Sequence, residues 1–240
     1  MKRFALIGHP VAGSFSPRLF AAAYGGRYAY DLVEGAEFAS SWQQFLDRYD
    51  GINVTAPFKR DAWRSVDRLS DSARLCGAVN LAVKTPGGIV GYNTDVDGVE
   101  RAVKETGEHV STALVIGAGG AGRAAAAGAL RLGCRVTLAN RTASRAAALA
   151  GEMGCDWIPV EDLPRAEADL VIYTVPGPME GLPDLSRSLV LEADYRTPSL
   201  EMRSGRYISG LRWLLYQAVA GYSIFTGETP DFEAMLRIFC

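Results

Sequence analysis

Ala113-Leu-Val-Ile-Gly117-Ala-Gly119-Gly120-Ala121-Gly122 is the stretch on which the fold turns. An apolar run breaks into G-x-G-x-x-G and continues as an alanine-rich segment to about Leu132. A strand that stops at a glycine and resumes as a helix opens a βαβ unit. Gly117 permits the tight turn, Gly119 lets a backbone approach a pyrophosphate, and Gly122 lets helix and strand pack closely. The amides of the helix N-terminus then face the phosphates. The same pattern would also serve as a plain turn in a sheet that binds nothing. The following strand, Arg135 to Ala139, completes a unit of the expected ~30 residues and favours the dinucleotide reading.

That next strand also tells which dinucleotide is taken. An NAD site places Asp or Glu about 20 residues beyond the first glycine, to accept from the ribose 2′-OH. Here the strand ends Leu138-Ala-Asn140-Arg141-Thr142, with no acid at its tip. A carboxylate would repel the 2′-phosphate of NADP, whereas a guanidinium binds it through two parallel charge-assisted hydrogen bonds. Arg141 is placed for this, with Thr142 as a hydroxyl donor and Arg145 or Arg123 as a second cation. The expected cofactor is NADP (NADPH).

Strand and helix alternate on either side of this unit. Toward the N-terminus, Phe4 to Gly8 reads as a strand, Pro17 to Tyr24 as a helix capped by Ser16, Tyr28 to Val33 as a strand, Phe38 to Tyr49 as a helix and Gly51 to Thr55 as a strand. Ala78 to Val83 and Gly88 to Tyr92 read as strands joined by a Pro-Gly-Gly turn, and Asp95 to Thr106 as an amphipathic linker helix. Toward the C-terminus, strands are expected at Leu170 to Thr174 and Leu189 to Ala193, with helices at Leu211 to Tyr222 and Phe232 to Phe239. Alternation of this kind favours a parallel sheet. The expected fold is α/β, two α/β domains flanking a cleft, the second a Rossmann-type doubly wound parallel sheet.

Composition narrows the partners. With 48% hydrophobic and 22% charged residues, the 240-residue chain has the balance of a globular protein with a real core. A net charge of -2 leaves no global basic field for nucleic acid or an anionic membrane, so a bound anion must be held locally. Cys76, Cys134, Cys155 and Cys240 lie far apart, which suggests neither a disulfide framework nor a metal site, and a reducing cytoplasm fits best. The apolar run Phe4 to Ile7 is too brief for a signal segment or a membrane span.

Four polar clusters fall at strand ends, where open α/β sheets place ligands. They are Ser14-Phe-Ser16-Pro, Asn53-Val-Thr55-Ala-Pro-Phe-Lys59, Gly77-Ala-Val-Asn80 and Asn93-Thr-Asp95-Val-Asp-Gly98. Hydroxyls, amides, one ammonium and two carboxylates suit a small polyhydroxylated acid. Hydride delivery to a ketone leaves an alkoxide that needs a proton, and an ammonium both stabilises the charge and donates. Lys59 is the one strong candidate in the first half, with Asp95 beside it to orient the ammonium. The plain alternatives are a snorkelling surface lysine and an N-cap aspartate on the linker helix. His9 reads as a loop residue near the site and Cys76 as a small buried residue.

Taken together, the chain resembles the shikimate dehydrogenase family. The resemblance rests on Gly8-x-Pro10-Val-x-x-Ser14-x-Ser16-Pro, Asn53-Val-Thr-x-Pro-x-Lys59, Gly77-Ala-Val-Asn80, Gly91-x-Asn-Thr-Asp95-x-x-Gly98, the glycine loop and Asn140-Arg-Thr142, with weaker similarity from Gln217 to Gly227. It implies reversible, NADPH-dependent reduction of 3-dehydroshikimate to shikimate, in the shikimate pathway of aromatic amino acid biosynthesis. Lys59 and Asp95 are then the catalytic pair. Ser14 and Ser16 would bind the substrate carboxylate, and Thr55, Asn80 and Gln217 the ring hydroxyls. Gly117, Gly119, Gly120, Ala121, Gly122, Asn140, Arg141, Thr142, Arg145, Tyr195 and Gly210 would bind the cofactor. For Gln217 to reach the substrate, residues 1–97 and 212–240 would form the substrate-binding domain and 98–211 the NADP-binding domain. The implied protein is a cytoplasmic monomer or homodimer without metal, nucleic acid or membrane.

This chain departs from the family pattern in places. Gly13 stands where the family often has histidine, Tyr173-Thr-Val-Pro176-Gly-Pro-Met179 replaces a usual Asn-Ala-Thr, and the Tyr-x-Pro segment reads Asp194-Tyr195-Arg-Thr-Pro198. A quinate or aminoshikimate dehydrogenase would share the site. A silent NADP-binding regulator would need neither Lys59 nor Asp95. A methylene-folate dehydrogenase would lack the paired serines and the Asn53 to Lys59 cluster.

Overall fold

A computed structural model of the chain describes residues 2–239. The chain divides into two units, Met1–Thr94 with Gln217–Cys240 and Asp95–Tyr216.

The first unit contains β1 (Arg3–Gly8), α1 (Ser16–Tyr24), β2 (Ala29–Glu34), α2 (Phe38–Arg48), β3 (Gly51–Val54), α3 (Lys59–Ser65), β4 (Arg68–Leu69), α4 (Asp71–Cys76), β5 (Leu81–Thr85) and β6 (Gly88–Tyr92). Its sheet runs β2-β1-β3-β5-β6-β4. Beyond its first residue β1 is wholly buried, as a strand covered on both faces must be. On one face Phe4 stacks on Phe225 at 4.7 Å and meets Phe20 edge-on at 5.3 Å. On the other, Ala5 and Ile7 pack with Trp42, Phe45, Ile52 and Val54.

This sheet is mixed, not parallel throughout. β1 is parallel to β2 and β3, but β5 runs antiparallel to both β3 and β6. For β5 and β6 the reason is the connection between them: Pro86-Gly87 reverses the chain within two residues, and so short a loop joins only antiparallel neighbours. β5 also starts at Leu81, later than the hydrophobic pattern suggests. Gly77 ends α4 in the left-handed region at φ 64°, and Ala78 to Asn80 then cross toward the sheet.

The second unit opens with α5 (Thr94–Lys104), whose first residue belongs to the first unit. It continues through β7 (Thr112–Ile116), α6 (Gly120–Arg131), β8 (Arg135–Ala139), α7 (Ala143–Met153), β9 (Asp156–Ile158), β10 (Leu170–Tyr173), β11 (Leu189–Glu192) and β12 (Arg206–Ser209). All strands are parallel, in the order β12-β11-β10-β7-β8-β9. Successive strands move outward from β7 to β9, and the chain then returns to β10 on the other side of β7. That is the doubly wound dinucleotide order, with its switch point at β7 and β10, where such sheets bind ligands. Gly128 lets α6 approach α5, because a Cβ there would lie 2.7 Å from Val99.

α8 (Gly210–Thr226) leaves the second unit and, from Gln217 on, belongs to the first. α9 (Phe232–Leu236) follows, capped by the Asp231 carboxylate, which accepts from Ala234 N–H at 2.9 Å.

Candidate functional site

In the first unit, the loop after β1 carries Ser14 and Ser16. The Ser14 hydroxyl donates to Ser16 Oγ at 3.0 Å and accepts from Ser16 N–H at 3.2 Å. Glu34, at the end of β2, steadies this loop by accepting from Val11 N–H at 3.1 Å and Ala12 N–H at 3.2 Å. Ser16 is not the N-cap of α1. The helix begins at Ser16 itself and Phe15 stands in the cap position without a side-chain bond, while Ser14 Oγ accepts from the Ser16 N–H. The Ser16 hydroxyl is paired with Ser14 instead of the helix end.

The loops after β1 and β3 are tied together. Thr55 N–H donates to Ile7 O at 3.0 Å and His9 N–H to Ala56 O at 3.0 Å. Gly8 is required here, since a Cβ would lie 2.3 Å from the Thr55 methyl. Thr55 begins a turn closed by Phe58 N–H donating to its carbonyl at 3.0 Å, and the turn delivers Lys59 as the first residue of α3. Lys59 is half-buried, unlike a freely solvated surface lysine. Its carbonyl accepts from Val79 N–H at 2.9 Å, which stitches it to the segment carrying Asn80.

Asn80 is 3% exposed and bound to Thr94 through both ends of its amide. Its Oδ1 accepts from Thr94 N–H at 2.8 Å, and its Nδ2 donates to Thr94 Oγ1 at 3.1 Å. The Thr94 hydroxyl in turn lies 3.4 Å from Gln217 Oε1, on α8. Thr94 was not expected as a site residue, although it stands inside the Asn-Thr-Asp run. Two tyrosines were also missed. Tyr30 donates its hydroxyl to Asn53 Oδ1 at 2.7 Å, and Tyr222 donates to Ser16 O at 3.2 Å. Burial raises the pKa of both, so each stays a neutral donor. Nothing in local sequence pattern singles them out, since their partners lie 23 and 206 residues away.

In the second unit, Asp95 is the second residue of α5 and half-buried, so it lies within the first turn and is not its cap. Nearby, Asp97 pairs with Arg131 at 2.7 Å, but burial outweighs that cation and raises the Asp97 pKa.

The glycine loop follows β7. Gly117 takes φ 112°, open to glycine, and its N–H donates to Ala139 O at 2.8 Å. A Cβ on Gly122 would sit 1.9 Å from Gly117 O, so only glycine fits. At Gly119 and Gly120 an added Cβ would meet nothing within 4 Å, and no side chain caps α6. Open space before uncapped first-turn amides, including that of Ala121, suits a pyrophosphate. Asn140 braces the loop: its Oδ1 accepts from Ala118 N–H at 3.2 Å, and its Nδ2 donates to Thr142 O at 3.0 Å.

Arg141, Thr142 and Arg145 are exposed around the start of α7, and neither arginine makes an ion pair among the described residues. Arg123 does not share that position. It is 12% exposed and pairs with Glu152 at 2.6 Å, clasping α6 to α7, so Arg145 is the remaining candidate for a second cation. After β11, Asp194 accepts from Arg196 N–H at 2.9 Å and Thr197 hydroxyl at 2.8 Å, shaping the loop that holds Tyr195. Gly210 begins α8 so close to β11 that a Cβ would lie 2.4 Å from Ala193 O. The loop after β10 is fixed by Tyr173, whose hydroxyl donates to Gly177 O at 2.6 Å.

Two family models match the chain. One described as the shikimate dehydrogenase substrate binding domain matches residues 6–82, and one described as shikimate / quinate 5-dehydrogenase matches residues 100–180. The chain is 37% identical over 249 residues to a shikimate dehydrogenase (NADP(+)) of Acidiphilium cryptum, covering 94% of this chain and 90% of that one. It is 34% identical over 258 residues to a Thermus thermophilus enzyme of the same name, covering 98% of this chain and 96% of that one. The crystal structure of a Thermus thermophilus shikimate 5-dehydrogenase in complex with NADP(H) and shikimate superposes with a TM-score of 0.88, at 31% identity, over 99% of this chain and 98% of that one.

Proposed function

The chain belongs to the shikimate dehydrogenase family, and on that premise we propose that its own residues carry the NADPH-dependent reduction of 3-dehydroshikimate to shikimate as follows. The Ser14 and Ser16 hydroxyls hold the substrate carboxylate, and Thr55, Asn80 and Gln217 hold ring hydroxyls. Lys59 faces the carbonyl that is reduced, and its ammonium donates the proton to the oxygen as negative charge develops there. Asp95 keeps the ammonium oriented and accepts from a substrate hydroxyl. In the oxidative direction the same groups run in reverse, with Lys59 taking the hydroxyl proton.

NADPH, when bound, supplies the hydride. The residues that would hold it are Gly117, Gly119, Gly120, Ala121 and Gly122 at the pyrophosphate, and Asn140, Arg141, Thr142 and Arg145 at the adenosine ribose and its 2′-phosphate. Tyr195 and Gly210 would lie toward the nicotinamide end. The open space at Gly119 and Gly120 and the lack of an acid at the tip of β8 support this assignment. The proposed division of labour gives residues 1–97 and 212–240 to the substrate and 98–211 to the cofactor.

The observation that carries the proposal is a line of hydrogen bonds within the first unit. It ties His9 to Ala56, Lys59 to Val79, Asn80 to Thr94, and Thr94 to Gln217. Segments far apart in sequence are thereby braced at strand ends, as a site that binds a small rigid ring requires. No helix among the described residues is long and apolar enough to cross a membrane. No disulfide joins Cys76, Cys134 and Cys155 among the described residues, in keeping with a proposed cytoplasmic setting, and Cys240 lies outside them. The test is direct: purified protein with NADP+ and shikimate should produce the reduced nicotinamide absorbance, more efficiently than with quinate or with NAD+. Failure to oxidise shikimate in an otherwise folded protein would contradict the proposal.

A further inference from the structure

The first turn of a helix has N–H groups without intrahelical acceptors, and is the part least fixed by the helix itself. Asp95 lies in that turn of α5. What holds the turn comes from distant parts of the chain. Thr94 N–H donates to Asn80 Oδ1 at 2.8 Å. Farther along the helix, Val99 abuts Gly128, and Arg131 bridges Asp97 at 2.7 Å and Glu100 at 2.8 Å. At Asp95 itself the fastening is Trp213, on α8 and 118 residues away, whose Nε1–H donates to the Asp95 carbonyl at 2.8 Å.

Trp213 is 6% exposed. An indole N–H is a donor only, and when buried it requires an acceptor. A carbonyl oxygen has two lone pairs, so it can serve both the α5 ladder and the indole. The bond fixes the peptide plane next to the Cα from which the Asp95 carboxylate projects. We propose that Trp213 is a positioning residue for the reaction, setting the carboxylate of Asp95 through its backbone without touching substrate. This rests on the reading that Asp95 takes part in catalysis.

The test is a double-mutant cycle on kcat. Trp213→Phe keeps an aromatic ring and removes the N–H, and is expected to lower kcat by about tenfold to a hundredfold while the shikimate KM changes by less than about threefold. In an Asp95→Asn background the same change should cost little more, because the group it positions is already disabled. Where phenylalanine destabilises the fold, benzothienylalanine at 213 keeps the bicyclic shape with sulfur in place of N–H and should give the same loss. Unchanged kcat in Asp95→Asn alone would sink the catalytic reading of Asp95. If Asp95→Asn is impaired but Trp213→Phe turns over like wild type, or lowers kcat equally in both backgrounds, the positioning role is overturned.

Discussion

At the scale of single residues, the cofactor assignment turns on one guanidinium. Arg141 is exposed at the tip of β8 without an ion pair among the described residues, whereas Arg123 is committed to Glu152. Arg141→Asp is therefore expected to weaken NADP+ by on the order of 2–3 kcal/mol while NAD+ changes far less, read as the ratio of kcat/KM for the two cofactors. Equal losses would show that Arg141 does not read the 2′-phosphate. The paired serines make a different prediction. A hydroxyl that anchors a carboxylate does so in ground and transition states alike, so Ser14→Ala and Ser16→Ala should raise the shikimate KM before they lower kcat. The candidacy of Arg141 was legible in the sequence because the case for it is local: it follows the glycine loop at the spacing where an acid would otherwise stand. Arg123 was not, because Glu152 meets it only after α6 and α7 have packed side by side.

At the scale of elements, the structure sets Gly122, which has no room for a side chain, apart from Gly119, which faces open space. Gly122→Ala would drive a Cβ into the Gly117 carbonyl, so it should lower the melting temperature and cofactor affinity together. Gly119→Ala meets no protein atom within 4 Å, so it should melt like wild type yet raise the NADP+ KM by about tenfold or more, near 1.4 kcal/mol. Another element-level device is Asp169, which joins the start of β10 to that of β7. Its Oδ2 accepts from Ser111 N–H and Thr112 N–H, both at 2.9 Å, and from the Thr112 hydroxyl at 3.0 Å. The Ser111 backbone bond, then those of Thr112, hold its carboxyl below the ordinary 3.8. A depressed carboxylate pKa contributes stability that is fully present above that ordinary value and is lost as pH falls through the lower folded value. Asp169→Asn should thus melt below wild type at pH 7, with the gap closing below about pH 4 in thermal melts.

The long elements were readable and the short ones were not. β6 and β8 fall where their sequence patterns put them, at Gly88–Tyr92 and Arg135–Ala139. α3 and α4 have 7 and 6 residues, β4 has 2 and β9 has 3, lengths over which neither helical nor strand periodicity can accumulate.

At the scale of the whole molecule, the α/β class and the doubly wound second sheet followed from alternation and from one glycine loop. The hairpin of β5 and β6 was read from its Pro-Gly-Gly turn, but the antiparallel pairing of β5 with β3 was not, because no tight turn joins those two strands. The hydrogen bond that joins Thr94 to Gln217 spans 123 residues and is visible only in the fold. The proposed chemistry asks Lys59 and Asp95 to contribute to a single proton transfer. The most direct test of that claim is the kcat of Lys59→Ala, Asp95→Asn and the double variant, each checked for native fold by circular dichroism. Lys59→Ala should lose several orders of magnitude in kcat with shikimate KM little changed, and the double variant should lose far less than the product of the single losses, as groups acting in one step do. Near wild-type turnover in Lys59→Ala, or fully multiplicative losses in the double variant, would contradict the account.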